Sequence, residues 1–254
     1  MVGRSPGGNV LSVPQRHYGR APITEAIIDV RTDLPSETDL SCLSTLPDNL
    51  QKLYPRRKTK LDVHAELSTG AKVGATASQI PSGYMFLSAD ERQVVQFNVS
   101  GFAFGRLAPY DRWEAFEASA APAWEAYCAQ AKPIRATRTA LRYVNRIELP
   151  LPFEDFKDFL RTVPEVAPEL PQSLSGFFMQ VQIPQSDIGT TLSLTQAMVQ
   201  SVNPNTVAIV LDIDLFNEAP VDIGRVWEII SEMRDRKNDV FEACITDRLR
   251  ELIK

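Results

Sequence analysis

Histidine is nearly missing from this chain, with His17 and His64 its only copies in 254 residues. A Ser-His-Asp triad would have to use one of them, and no nucleophile-elbow glycine motif accompanies either. Cysteine is scarce too. Cys42, Cys128 and Cys244 are odd in number and far apart, which fits neither a disulfide framework nor a paired-cysteine metal site. They read as small apolar residues of a reducing compartment, so the expected location is the cytoplasm. The fingerprints of phosphate and dinucleotide loops are missing as well, leaving Gly70 and Gly74 as turn or strand glycines. No apolar run approaches membrane-spanning length. Residues 1–20 hold Pro6, Gly7, Gly8, Pro14 and Gly19 but no hydrophobic stretch, so they read as a flexible lead-in and not as a secretory signal. A net charge of -5 gives no general attraction to nucleic acid or to anionic membranes.

What is present is the composition of an ordinary globular protein, 44% apolar and 23% charged, with enough chain for a sizeable core. The strongest pattern spans residues 138–150. Leu141, Tyr143, Asn145, Ile147 and Leu149 alternate with Arg138, Ala140, Arg142, Val144, Arg146 and Glu148 before Pro150 ends the run. Such alternation predicts a half-buried strand of an antiparallel sheet. Residues 23–34 alternate likewise, with Ala26, Ile28 and Val30 on one side and Asp29 and Arg31 on the other. Leucines at 40, 43, 46, 50 and 53 predict a helix interrupted at Pro47. Strands are expected near 61–67 and 72–78, followed by hairpin arms at 84–87 and 93–99. A parity change at Gly101 reads as a bulge. Asp111 is the expected N-cap of a helix carrying Trp113, Phe116, Trp124 and Tyr127, with a kink at Pro122. After the 138–150 strand come a short helix at 153–160, strands at 177–183, 190–199 and 207–216, and one long helix over 222–252.

The order of elements repeats. Arg31-Thr32-Asp33-Leu34-Pro35 falls against Arg146-Ile147-Glu148-Leu149-Pro150, and Trp113-Glu114 against Trp227-Glu228. The expected fold is therefore α+β, a duplicated strand–helix–three-strand–helix unit forming an extended antiparallel sheet with helices packed on one face. Its halves would be residues 21–134 and 135–254, in one compact domain.

The segment 18–26 with Ala21-Pro22-Ile23-Thr24-Glu25-Ala26, the run Leu141-Arg142-Tyr143-Val144-Asn145-Arg146-Ile147, the start Leu174-Ser175-Gly176-Phe177-Phe178 and the strand Leu211-Asp212-Ile213-Asp214 together resemble one family. It is a sporadically distributed prokaryotic family of uncharacterised proteins. The resemblance covers nearly everything from Tyr18 onward, and it implies no reaction and no catalytic residues. Patchy distribution resembles that of mobile or defence-associated genes.

Parity places a polar set on the uncovered sheet side: Arg31, Arg142, Arg146, Glu148, Gln180, Gln182, Asp212 and Asp214 are the candidate binding residues. Arginine suits planar contacts with carboxylates or phosphates. The leading expectation is a non-enzymatic module that binds a protein partner in a regulatory, immunity or antitoxin-like role. One alternative is a metal-assisted hydrolase or nuclease using Asp29, Asp212 and Asp214. The plainer reading pairs those carboxylates with Arg31, Arg142 and Arg146. A second alternative is a small-ligand sensor with a pocket between sheet and helices. No cofactor or resident metal is expected. Asn145, an amide on the apolar side, must be hydrogen-bonded there or mark a bulge. The basic run Arg56-Arg57-Lys58-Thr59-Lys60 reads as a solvated loop, with contact to a phosphate backbone as the alternative.

Overall fold

A computed structural model describes residues 16–68 and 74–254. In chain order the elements are β1 (Ile23–Asp33), α1 (Asp48–Gln51), β2 (Arg56–Ser68), β3 (Gly74–Leu87), β4 (Gln93–Asn98), β5 (Gly101–Leu107), α2 (Trp113–Ala131), β6 (Arg135–Pro150), β7 (Phe178–Gln185), β8 (Thr190–Val199), β9 (Thr206–Asn217), α3 (Val226–Cys244) and α4 (Asp247–Leu252). Among the described residues, nine strands form one sheet in the order β2-β3-β4-β5-β1-β6-β9-β8-β7. Every pairing is antiparallel. With four helices among the described residues, the fold is α+β.

The alternation over 138–150 is realised in β6, at the centre of the sheet. Leu141, Tyr143, Asn145, Ile147 and Leu149 are buried there, while Arg142 is exposed and Arg146 and Glu148 are half-buried. Burial of such a row removes apolar surface from water at about 25 cal/mol per Å², which fixes register as well as stability. The helix α2 lies over β4 and β5. Its Trp124 meets Phe102 with ring centroids 5.5 Å apart, and its Phe116 meets Phe104 at 5.1 Å. Tyr127 seals the same layer through a 2.9 Å hydrogen bond with the Thr32 hydroxyl. The helix α3 turns Val226, Ile230, Met233, Val240 and Cys244 into the core and packs on β6 and β9.

Several expectations are corrected. The leucines of 40–53 are interrupted at Pro47 as expected, but on either side of it they form only a short 3-10 turn (Leu40–Leu43) and the four-residue α1. Leu43, Leu46 and Leu50 still fill core positions, which accounts for their spacing. The basic run 56–60 starts strand β2 instead of looping, with Arg56 ion-paired to Glu91 and Arg57 donating to the Ser44 carbonyl at 2.7 Å. Strands expected at 72–78 and 84–87 are one strand, β3. The side chains of 63–78, including His64, lie outside the described residues. Gly101 is no bulge; it ends a two-residue turn between β4 and β5. Its φ of +143° and the 2.1 Å that would separate a Cβ from the Val30 carbonyl oxygen make glycine necessary. Helix α2 starts after Arg112, not at Asp111, and Pro122 sits inside it without ending it. The segment 153–160 holds only a 3-10 turn, Phe156–Asp158. The C-terminal helix breaks at Ile245–Thr246, where the Thr246 hydroxyl caps α4. Finally, the far end of the supposed lead-in is tied down: Arg20 donates its backbone N–H to Ile253, and Tyr18 bonds Glu242. Residues 1–15 lie outside the described residues.

Candidate functional site

Register gathers most of the polar candidates on one side of the sheet. Arg142 stands opposite Asp214 on β9, Asp214 opposite Ser193 on β8, and Ser193 opposite Gln182 on β7. A parallel row runs from Asp212 through Thr195 to Gln180, whose amide donates to the Thr195 hydroxyl at 3.0 Å. Arg31 lies apart, exposed and 4.0 Å from Asp29.

Most charges of this face are already engaged. Arg142 grips Asp212 with Nε at 2.9 Å and Nη2 at 2.6 Å, the planar two-point geometry arginine favours. Arg146 donates to Glu148 at 2.9 Å and to the Gln200 carbonyl at 2.7 Å. Burial pushes the Glu148 carboxyl up, but hydrogen bonds from Thr206 and Ser201 and the Arg146 charge outweigh it and hold it below the usual range. Asp29 and Asp214 share Arg138, at 2.8 and 3.5 Å. Burial nevertheless pushes the Asp214 carboxyl up, against the pull of Arg138 and Arg142. Arg138 shares the parity of Arg142 and Arg146, the sequence signal that joins it to this network. Asp29, Asp212 and Asp214 do share one face, each against an arginine. Among the described residues no three metal-ligating side chains cluster.

The opposite side of β6 carries a different feature. A cavity of about 260 Å³ lies over Tyr143 and Asn145, bounded by α3, by the segment from Tyr110 to Glu114 and by residues 16–23. Asn145 faces inward as parity requires and donates Nδ2 to the Leu211 carbonyl at 3.0 Å. Among the described residues nothing donates to its Oδ1, leaving an acceptor at the cavity wall. The hydroxyls of Tyr110 and Tyr143 are 2.8 Å apart, and burial pushes both phenols up, Tyr110 to about 12, so both stay protonated. Tyr18 closes another wall by donating to Glu242 at 2.5 Å, with its ring edge against Phe241.

Lys237 is the central group. Its Nζ sits 4.1 Å from the centroid of the Tyr143 ring. Desolvation by the surrounding walls, then the charge of Arg234, pull the amine down to about 7, against a smaller opposing effect of Asp235. Among the described residues no carboxylate lies within ion-pair distance of it, whereas its neighbour Arg234 is 2.7 Å from Asp235 and 3.8 Å from Glu114. The signal was legible in the sequence: Val226, Ile230, Met233, Val240 and Cys244 recur at helical spacing, and Lys237 is the charged residue within that apolar stripe. His17 lines the same cavity.

No family model matches this chain, and neither do curated proteins or solved structures.

Proposed function

We propose that the chain is a non-enzymatic binding module whose ligand is a small carboxylate-bearing molecule held in the cavity over Tyr143. The observation that carries the reading is Lys237, a basic group against an aromatic wall with no carboxylate of the described residues within ion-pair distance. A half-buried, desolvated lysine ammonium without an ion-pair partner is costly, and a ligand carboxylate supplies one. Arg234 stands one turn back on α3 at the same cavity, and Asn145 Oδ1 offers an acceptor for a donor group on the ligand. At about 260 Å³ the space falls just below the roughly 300–1,000 Å³ of drug-sized pockets, so the ligand is compact. Trp113 lines the cavity and serves as the reporter. Titration with lactate and malonate should change tryptophan fluorescence and raise Tm, as ligands of the folded state do. Lys237→Met should abolish both responses, and Arg142→Ala should retain them. Absence of any response to small acids, or equal loss in Arg142→Ala, overturns the reading.

A second reading, the protein partner, has its own support. The rows of Arg142, Asp214, Ser193 and Gln182 end at the edge strand β7, where Phe178 is 72% exposed beside Gln180. A mixed apolar and amide edge suits a docking protein in the regulatory, immunity or antitoxin-like role, in keeping with the resemblance to the sporadic prokaryotic family. Pull-down with the product of a neighbouring gene, compared between wild type and Phe178→Asp, tests it; equal capture by both discards it.

The internal duplication with both long helices on one face belongs to the same proposal. In each half the first strand lies beside the last, β1 beside β5 and β6 beside β9, and each last strand leads to a helix of 19 residues. No helix of the described residues is long and apolar enough to cross a membrane.

A further inference from the structure

The cavity holds more than a binding charge. Lys237 presents its Nζ to the face of the Tyr143 ring, Arg234 sits one turn earlier on the same helix, and two tyrosine hydroxyls line the same space. Those are the parts needed to hold a carbonyl compound by its carboxylate while an amine meets its carbonyl carbon. Resting on the reading of this cavity as a carboxylate site, we infer that Lys237 captures the carbonyl carbon of a small 2-oxo acid as an imine.

The chemistry closes without a further reactant. The Nζ lone pair forms a bond to the carbonyl carbon, and the carbonyl π pair moves onto oxygen. That oxygen takes up a proton equivalent to the one nitrogen releases, which gives the carbinolamine. Loss of the second N–H proton and of the hydroxyl group, together one water, leaves the C=N bond. Amine plus oxo acid becomes imine plus water, and nothing is oxidised or reduced. Hydroxyls held in their protonated form, as burial holds those of Tyr110 and Tyr143, are suited to donate to the carbonyl oxygen as negative charge develops there. The ring beneath Nζ and the surrounding walls desolvate the amine and favour its uncharged, nucleophilic form near neutral pH. The small volume admits two- or three-carbon acids more readily than extended ones.

The test uses the full chain, glyoxylate as the probe and sodium cyanoborohydride as the hydride donor, at neutral pH, followed by peptide mapping in a mass spectrometer. The expected result is a single carboxymethyl group on Lys237, formed at least about a hundredfold faster than on the exposed Lys52 and Lys132. Excess malonate, which has the carboxylates and no carbonyl, should slow labelling of Lys237 and leave the other two unchanged. Lys237→Arg should lose the label. Labelling spread evenly over the lysines overturns the inference. Malonate binding without labelling of Lys237 overturns capture and leaves the carboxylate site standing. Neither binding nor labelling overturns both.

Discussion

The Nζ of Lys237 lies 4.1 Å from the centroid of the Tyr143 ring, and among the described residues no carboxylate lies within ion-pair distance of it. A cation over an aromatic face gains about 0.5–2 kcal/mol. Desolvation costs more, so the amine falls to about 7 instead of staying in the ordinary lysine range. Arg234 and Asp235 of its own helix act on its charge, Tyr143 of the sheet lies against it, and Tyr18, Tyr110, Asp111, Arg112, Glu114 and Glu242 line the same cavity.

This sets a pH dependence. Between about 7 and the unfolded lysine value the unfolded chain carries a proton that the folded chain lacks, so stability rises with pH. The slope reaches about 1.4 kcal/mol per pH unit for one proton. Lys237→Met should remove it, and should be the more stable protein below neutral pH. Denaturant unfolding of both proteins between about pH 7 and 9 measures the difference. From about pH 8.5 upward, where unfolded thiols ionise, Cys128 and Cys244, raised by burial to about 12 and 11, favour the unfolded chain as pH rises and oppose the effect equally in both proteins. Parallel pH profiles would show that Lys237 is protonated in the fold.

Arg138 should matter more to stability than either arginine singled out from the sequence. Its side chain is 17% exposed, pairs with Asp29 and Asp214, and lies 5.1 Å from the Phe216 ring. Arg138→Met strands a largely buried carboxylate whose Oδ1 already lacks a partner among the described residues. The expected loss is about 2–4 kcal/mol, and Asp214→Asn on that background should recover part of it. Arg142→Ala, at a more exposed pair, should cost about 1 kcal/mol or less. Equal losses would place the weight elsewhere in the network.

The tryptophans separate in a way spacing did not foresee. Trp113 and Trp227 match as core positions by sequence, yet both are half-buried, and Trp124 at 4% exposure is the buried one. Trp124→Ala should cost about 3–5 kcal/mol, and Trp227→Ala distinctly less. Chemical denaturation of the two variants ranks them; the reverse order would put the wrong face of α3 against the sheet.

Legibility followed the length of each periodic signal. Residues 138–150 alternate over more than ten positions, and parity there placed Leu141, Tyr143, Arg142 and Arg146 on their observed sides. The same parity aligned Asp212 and Asp214 with Gln180 and Gln182 across three strands. Leucine spacing at 40–53 overstated the helix on both sides of the expected break at Pro47, because burial of Leu43, Leu46 and Leu50 needs only a 3-10 turn and the four-residue α1. The cavity was hidden because its walls come from three distant stretches, 16–23, 110–114 and 234–242, which only the sheet order brings together. The lysine in the apolar stripe of α3 was the local trace of it.

The ion pair between Arg250 and Glu242 joins the end of the chain to that cavity. Both side chains are nearly buried, at 10% and 6% exposure, and Nε lies 2.8 Å from the carboxylate. Arg250 also donates to the Glu242 carbonyl at 2.7 Å and to Asp247 at 2.8 Å, while Tyr18 takes the other carboxylate oxygen. Arg250→Met should therefore cost about 3–5 kcal/mol by leaving Glu242 charged and unpaired in the interior. Arg250→Met with Glu242→Leu should recover most of that, because removing both charges also removes their desolvation. Tyr18→Phe tests the other contact: it should cost only about 1 kcal/mol in stability, yet loosen the segment that walls the cavity and weaken malonate binding. Thermal unfolding together with tryptophan titration of the three proteins distinguishes the roles. If Tyr18→Phe binds malonate as tightly as wild type, the segment before β1 is a structural tie to α3 and no part of the site.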